Sequence, residues 1–275
     1  MRRAFAPSGL IALLLVAACA PSSDAPVGNA AENEAAARYA DRMAGTPPPA
    51  PPSKPFAVKE AAGGLEFGYA YPAEAAAVPA LVDKFARDMA GTKADALKMA
   101  EEDSAAAKAS GYPFRPHSLE TEWSVAADTP RFLALQSQTY VYTGGAHGMT
   151  GYDAVLWDKA RKQESSVKAL MTSPPAFASA IRDRFCAILD QQRAEKRGAP
   201  VVRGDDDFTQ CIDPMEQVLV PTSKDGKLID GLTVVVGPYS AGPYAEGSYE
   251  VALPVDAAMR EAIKPDYREA FVGVK

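Results

Sequence analysis

Apolar positions along this chain recur with two different periods, and the two periods occupy separate blocks. Leu65–Tyr71 follows a Gly63-Gly64 turn and predicts a strand. From Ala75 to Ser110 the pattern is helical, with Val78, Leu81, Val82, Phe85 and Met89 at three- and four-residue spacing. Gly91 is expected to divide this stretch into two helices, and Gly111 with Pro113 to end the second. Leu119, Thr121, Trp123 and Val125 then alternate with Glu120, Glu122 and Ser124, which predicts a strand with one buried and one wet face. Phe132–Tyr142 reads as a second long strand, joined to the first by a hairpin through Asp128-Thr129-Pro130, and Tyr152–Asp158 as the next. Ser173–Arg197 predicts a helix with Ser173 as N-cap, Pro174 at its first position and Gly198 as C-cap. Phe177, Ile181, Phe185 and Ile188 form its apolar stripe. Leu232–Val236 and Tyr249–Leu253 predict two further strands, and Val255–Ile263 a short helix capped by Asp256. Helices and strands are segregated rather than alternating. The expected fold is therefore α+β, with mainly antiparallel sheets and helices packed on one side.

Residues 1–55 follow neither period. Arg2 and Arg3 precede a short apolar run, Leu10–Ala18, too short for a permanent membrane span. Leu15–Cys19 resembles a bacterial lipobox, so residues 1–18 are expected to be a lipoprotein signal peptide and Cys19 the lipidated residue. An ordinary secretory signal with a chance cysteine is the rival reading. Residues 19–55 are rich in Ala, Pro and Ser and end in TPPPAPPSKP, an extended and stiff tether, with Ala31–Met43 helical in composition. Alanine rather than aspartate follows Cys19, which favours the outer membrane. The expected location is the periplasmic side of the cell envelope, held by an N-terminal lipid anchor.

Losing residues 1–18 strips two arginines and no acid, which moves the formal charge from −6 to −8. That excludes nucleic acid as a partner, since phosphates need a basic footprint. It suits a basic partner or simple solubility. With Cys19 lipidated, Cys186 and Cys211 remain as an even pair in an oxidising compartment, either bridged or as two buried thiols. No metal and no cofactor are expected, because the cysteines are widely spaced and His117 and His147 show no ligand-like pairing.

The most distinctive segment is Tyr140–Gly148, YVYTGGAHG, where Tyr140 and Tyr142 share one strand face and a Gly-Gly turn carries His147. His147 is either a ring that locks the turn through backbone carbonyls, the favoured reading, or a general base. No G-x-S-x-G elbow accompanies it. Glu120 and Glu122 lie on one strand face about 7 Å apart by strand rise, a spacing that fits paired-carboxylate chemistry as well as a solvated surface. Asp205-Asp206-Asp207 lacks EF-hand spacing and reads as a polar loop. Tyr239, Tyr244 and Tyr249 lie in a Gly/Pro-rich segment, Gly237–Tyr249. They either stack on a ligand or pack beneath the loop. The candidate binding residues are thus Tyr140, Tyr142, His147, Tyr239, Tyr244 and Tyr249, with no catalytic residue assigned.

YVYTGGAHG, followed by Tyr152-Asp153, Leu156-Trp157-Asp158 and Val167–Met171, resembles the paired DUF4163/DUF3298 family of bacterial extracytoplasmic proteins. A second signature is the aromatic-glycine run Val236–Gly247. The chain departs from the family pattern in lacking an aromatic in Val167–Met171, and around Cys186–Cys211. The resemblance implies two intimately joined subdomains, 56–160 DUF4163-like and 161–275 DUF3298-like. Relatives of this kind occur as the extracytoplasmic part of a lysozyme-sensing anti-sigma factor and as an accessory domain of a peptidoglycan deacetylase. Direct anti-sigma activity is not expected here, since only a signal precedes Cys19. The implied function is a non-catalytic cell-envelope lipoprotein that binds or senses a protein, such as a lysozyme-like one, or a cell-wall glycan. The alternative is a cell-wall hydrolase using His147 or a carboxylate pair.

Overall fold

The computed structural model describes residues 53–206 and 208–273. Cys19, the tether and the helix expected at Ala31–Met43 lie outside the described residues. The fold is α+β, built on two sheets that are antiparallel at every pairing but one.

The first sheet has six strands in chain order: β1 (Phe56–Ala62), β2 (Leu65–Tyr71), β3 (His117–Asp128), β4 (Phe132–Tyr142), β5 (Met149–Asp158) and β6 (Gln163–Ser165). β2 and β3 run parallel, and such a pair needs a long crossover. A single turn of helix, α1 (Ala73–Ala76), and the long helix α2 (Pro79–Ser110) supply it. Leu81, Phe85, Ala100 and Ala107 of α2 are buried. With Leu65, Phe67, Tyr69, Leu119, Trp123, Leu133, Leu135, Val155 and Trp157, most of them make one core.

α2 runs unbroken through Gly91, contrary to the two helices expected. One mid-helix glycine costs only about 1 kcal/mol. Buried residues on both sides of Gly91 fasten the helix to the sheet, so packing outweighs propensity. The helix ends at Gly111 as expected, in a left-handed cap. A second correction concerns Val125, which is exposed rather than buried. A β-bulge between Val125 and Ala127 shifts the register, so Ala127 takes the inward position. β1 was not anticipated as a strand; Phe56 stacks on Tyr71 across the β1–β2 pair at 4.8 Å.

The second sheet is β7 (Val218–Thr222), β8 (Gly231–Val236) and β9 (Tyr249–Pro254). β7 was missed because it is short and holds Pro221, which an edge strand tolerates. Around it lie α3 (Val167–Leu170), α4 (Pro174–Arg197) and α5 (Ala257–Glu261). Ser173 caps α4 through the Ala176 N–H, and Asp256 caps α5 through the Met259 N–H. Phe177, Ile181, Phe185 and Leu189 of α4 form the second core with β8 and β9. Leu189 replaces the expected Ile188 on the stripe. Phe132, Ala134 and Leu156 of the first sheet also belong to this core, so the start of β4 is buried on both faces. A disulfide joins Cys186 on α4 to Cys211 in the following loop.

Candidate functional site

The two sequence signatures, separated by about ninety residues, meet in space. The turn after β4 carries His147, and the loop between β8 and β9 carries Tyr239 and Tyr244. The His147 and Tyr244 rings stack with centroids 3.8 Å apart and planes 17° apart. Tyr239 lies 5.7 Å from Tyr244 and 6.4 Å from His147, ring centre to ring centre. The result is a three-ring cluster shared by the turn and the loop.

The hydrogen bonds of His147 fix its tautomer. Nδ1 is 2.9 Å from the Gly148 carbonyl, which can only accept, so Nδ1 carries the proton. Nε2 then accepts from the Tyr239 hydroxyl at 3.3 Å in the neutral ring. Both ring nitrogens are therefore engaged. The Nδ1 bond ties the His147 ring to its own turn, and the ring also stacks on Tyr244 of the neighbouring loop.

Tyr239 has φ +67°, a left-handed conformation that L side chains other than Asn and Asp rarely adopt. It occupies the third position of a turn, Gly237-Pro238-Tyr239-Ser240, closed by Ser240 N–H donating to Gly237 C=O at 3.3 Å. Proline at the second position and a positive φ at the third are the marks of a type II turn, where glycine is usual. A strained tyrosine stands there instead, and it is 48% exposed.

The remaining expected residues serve as supports. The Tyr140 ring lies directly on Gly148, where an added Cβ would displace it. The Tyr142 hydroxyl donates to Gly145 C=O at 3.2 Å. Tyr249 is 2% exposed, beneath the loop rather than on it. Its hydroxyl donates to Glu246, and burial, then the nearby carboxylate, pushes its pKa up to about 12.

Several supports were not picked out from sequence. Arg197 grips Glu246 with two bonds, Nε to Oε1 at 2.8 Å and Nη2 to Oε2 at 2.9 Å. Burial alone would raise the Glu246 carboxyl; the bonds from Arg197 and Tyr249 outweigh it and hold the group below its ordinary value. Lys196 donates to the Glu246 and Ser248 carbonyls, both at 2.6 Å, and sits 4.0 Å from the Tyr249 ring centre. Arg193, fully buried, donates to Ala241 C=O and Gln210 C=O at 2.8 Å each. Tyr152 of β5 donates to the Ser248 hydroxyl at 2.9 Å, tying the loop to the first sheet. One signal was readable: Arg193 continues the four-residue series Phe177, Ile181, Phe185, Leu189, so a charged residue sits in register with the apolar stripe.

Elsewhere, Glu120 and Glu122 are exposed on the open face of β3, beside a trough of about 200 Å³ over Gly68 and Ala70. Asp206 accepts from the Phe208 N–H in a surface loop. His117 is buried, with Nε2 3.2 Å from an Asp103 carboxylate oxygen. Among the described residues no group of three His, Cys, Asp or Glu is placed to hold a metal.

The fold and site together describe an α+β protein that displays a clamped aromatic cluster. Residues 58–150, from β1 through the His147 turn, match the family model described as Deacetylase PdaC. The chain is also similar to a solved DUF3298 family protein from Pseudomonas aeruginosa PAO1, at 14% identity and TM-score 0.49, over 81% of this chain and 98% of that one. A second similar structure is a DUF3298 family member from Bacteroides fragilis NCTC 9343, at 17% identity and TM-score 0.46, over 79% of this chain and 95% of that one. No curated protein matches. The stretch matched by the family model contains the YVYTGGAHG segment.

Proposed function

We propose that this chain is a non-catalytic binding or sensing module of the bacterial cell envelope. In this reading Cys19 anchors it by lipid on the periplasmic side, with the outer membrane favoured. Tyr239, His147 and Tyr244 capture a lysozyme-like basic protein or a cell-wall glycan. One observation carries the proposal: an exposed tyrosine, Tyr239, is held on a left-handed backbone beside the stacked His147 and Tyr244 rings, in a cluster assembled from two distant segments. Strain of this kind persists only where the surroundings enforce it. Here Arg193, Lys196 and Arg197 of α4 and Tyr152 of β5 fasten the loop that carries Tyr239, through Ala241, Glu246 and Ser248. Tyrosine offers a large contact area with few rotatable bonds, which suits it to recognition. The match of residues 58–150 to a deacetylase family model supports an accessory role at the cell wall.

The test is titration of the purified protein with lysozyme at low and moderate salt, beside Tyr239→Ala and Tyr244→Ala. Binding that survives moderate salt and weakens in both variants is the expected result. Binding that disappears with salt would reduce the interaction to bulk charge. Binding unchanged in both variants would remove the cluster from the interface.

A further inference from the structure

The same turn has a second flank. Its first half, Thr143, Gly144 and Gly145, lines a cleft of about 570 Å³ with Asp103 of α2 and the connection Tyr112–Arg115 and His117. Its size falls within the usual range for small-molecule sites. We propose that it binds a neutral saccharide, by stacking a sugar ring on Tyr112 and hydrogen-bonding hydroxyls with Asp103 and Arg115.

The argument runs by chemistry. Tyr112 is 54% exposed and lines the cleft. Asp103 supplies acceptors: its carboxylate is about half exposed and faces the buried His117 Nε2 at 3.2 Å. Arg115, in the cleft lining, supplies donors: Nη1 reaches the Gly145 carbonyl at 3.3 Å, one of the five N–H groups of its planar fork. An anion entering here meets the Asp103 carboxylate, and a cation meets the Arg115 guanidinium. A wholly apolar molecule would bury both charges without partners, at a high desolvation cost. A sugar avoids all three penalties. Each hydroxyl both donates and accepts, so it satisfies a carboxylate and a guanidinium side by side. The C–H face of the ring meanwhile covers an aromatic surface.

The cleft and the three-ring cluster share the turn after β4: Thr143–Gly145 line the cleft and His147 enters the cluster. No ring of the cluster lines the cleft, so variants at Tyr112 and Asp103 test this proposal apart from those at Tyr239 and Tyr244.

The experiment is calorimetric titration of the purified protein with chitotetraose and with cellotetraose. The expected result is saturable binding of at least one, with an affinity unchanged between low and moderate salt. Tyr112→Ala, an exposed site that leaves the core intact, is expected to weaken it about tenfold, the scale of one lost ring contact. Asp103→Asn should weaken it too, and Lys98→Ala, on the solvent side of α2, should leave it unchanged. No binding of either sugar at millimolar concentration overturns the proposal, as does an unchanged affinity in Tyr112→Ala. Binding of glycylglycine alone, lost with added salt, also overturns it, because opposed charges would then be selecting a zwitterion.

Discussion

Tyr239 shows how one residue's conformation and its use can conflict. A left-handed backbone costs a non-glycine residue about 1–2 kcal/mol. Tyr239→Gly removes that cost along with the ring. The expected outcome is a urea midpoint equal to or above that of the parent, together with loss of partner binding. A lower midpoint would mean that the ring stabilises the fold more than the strain opposes it. Gly242 shows the reverse case. A Cβ there would run into the Glu246 carboxylate and approach the Tyr249 hydroxyl at 3.0 Å. Gly242→Ala should therefore break the Arg197–Glu246–Tyr249 latch and cost about 1–3 kcal/mol. Faster amide exchange in residues 240–249 than in α4 would locate the damage.

At the scale of elements, Gly91 gives a prediction of opposite sign. It sits in the exposed middle of α2, where an added Cβ meets nothing within 4 Å. Gly91→Ala should raise stability by about 0.5–1 kcal/mol, read as a shift in the urea midpoint. The same position marks a limit on reading elements from sequence. Caps and period were legible at α4: Ser173, Pro174 and Gly198 stand where expected. What was not legible depended on partners far away in the chain. The continuity of α2 comes from the sheet beneath it, and the bulge at Val125 is visible only against β4. β7 offers five residues and a proline, too little pattern to separate from a loop. The site divides in the same way. Its ring residues stood out by composition, because tyrosines and a rare histidine lie among glycines. The separation of Tyr249 from Tyr239 and Tyr244, one buried and the others at the surface, is a tertiary fact. So is the grip of Arg193 on the Ala241 and Gln210 carbonyls, distant partners that carry no side-chain signature.

At the scale of the whole molecule, acid sensitivity has an assignable source. The Asp158 side chain is nearly inaccessible at the end of β5, and burial alone would raise its pKa. Arg131 donates to both its oxygens at 2.9 and 3.0 Å, and the Ala160 and Arg161 N–H groups add two more bonds. Together they hold the carboxyl below its ordinary value, as the latch does for Glu246. A group with a lowered folded pKa stabilises fully above its unfolded value, and that stability is lost as pH falls through the folded one. The urea midpoint should therefore hold down to about pH 5, fall as pH is lowered further through the ordinary carboxylate range and below it, and fall less in Asp158→Asn, whose starting stability is lower. A flat profile in the parent would contradict the assignment.

The placement of Trp123 and Trp157 has a practical consequence. They are the only two tryptophans in the chain, and both lie in the core beneath α2; the core between α4 and the second sheet contains neither. Indole emission therefore watches one core and ignores the other. Far-ultraviolet dichroism, which sums all backbone, watches both. Since Phe132, Ala134 and Leu156 commit the first sheet to both cores, the two signals should lose native character at one temperature. An emission curve that separated from the dichroism curve would reveal two melting units behind a single folded surface. The chain carries its own dye for deciding the matter.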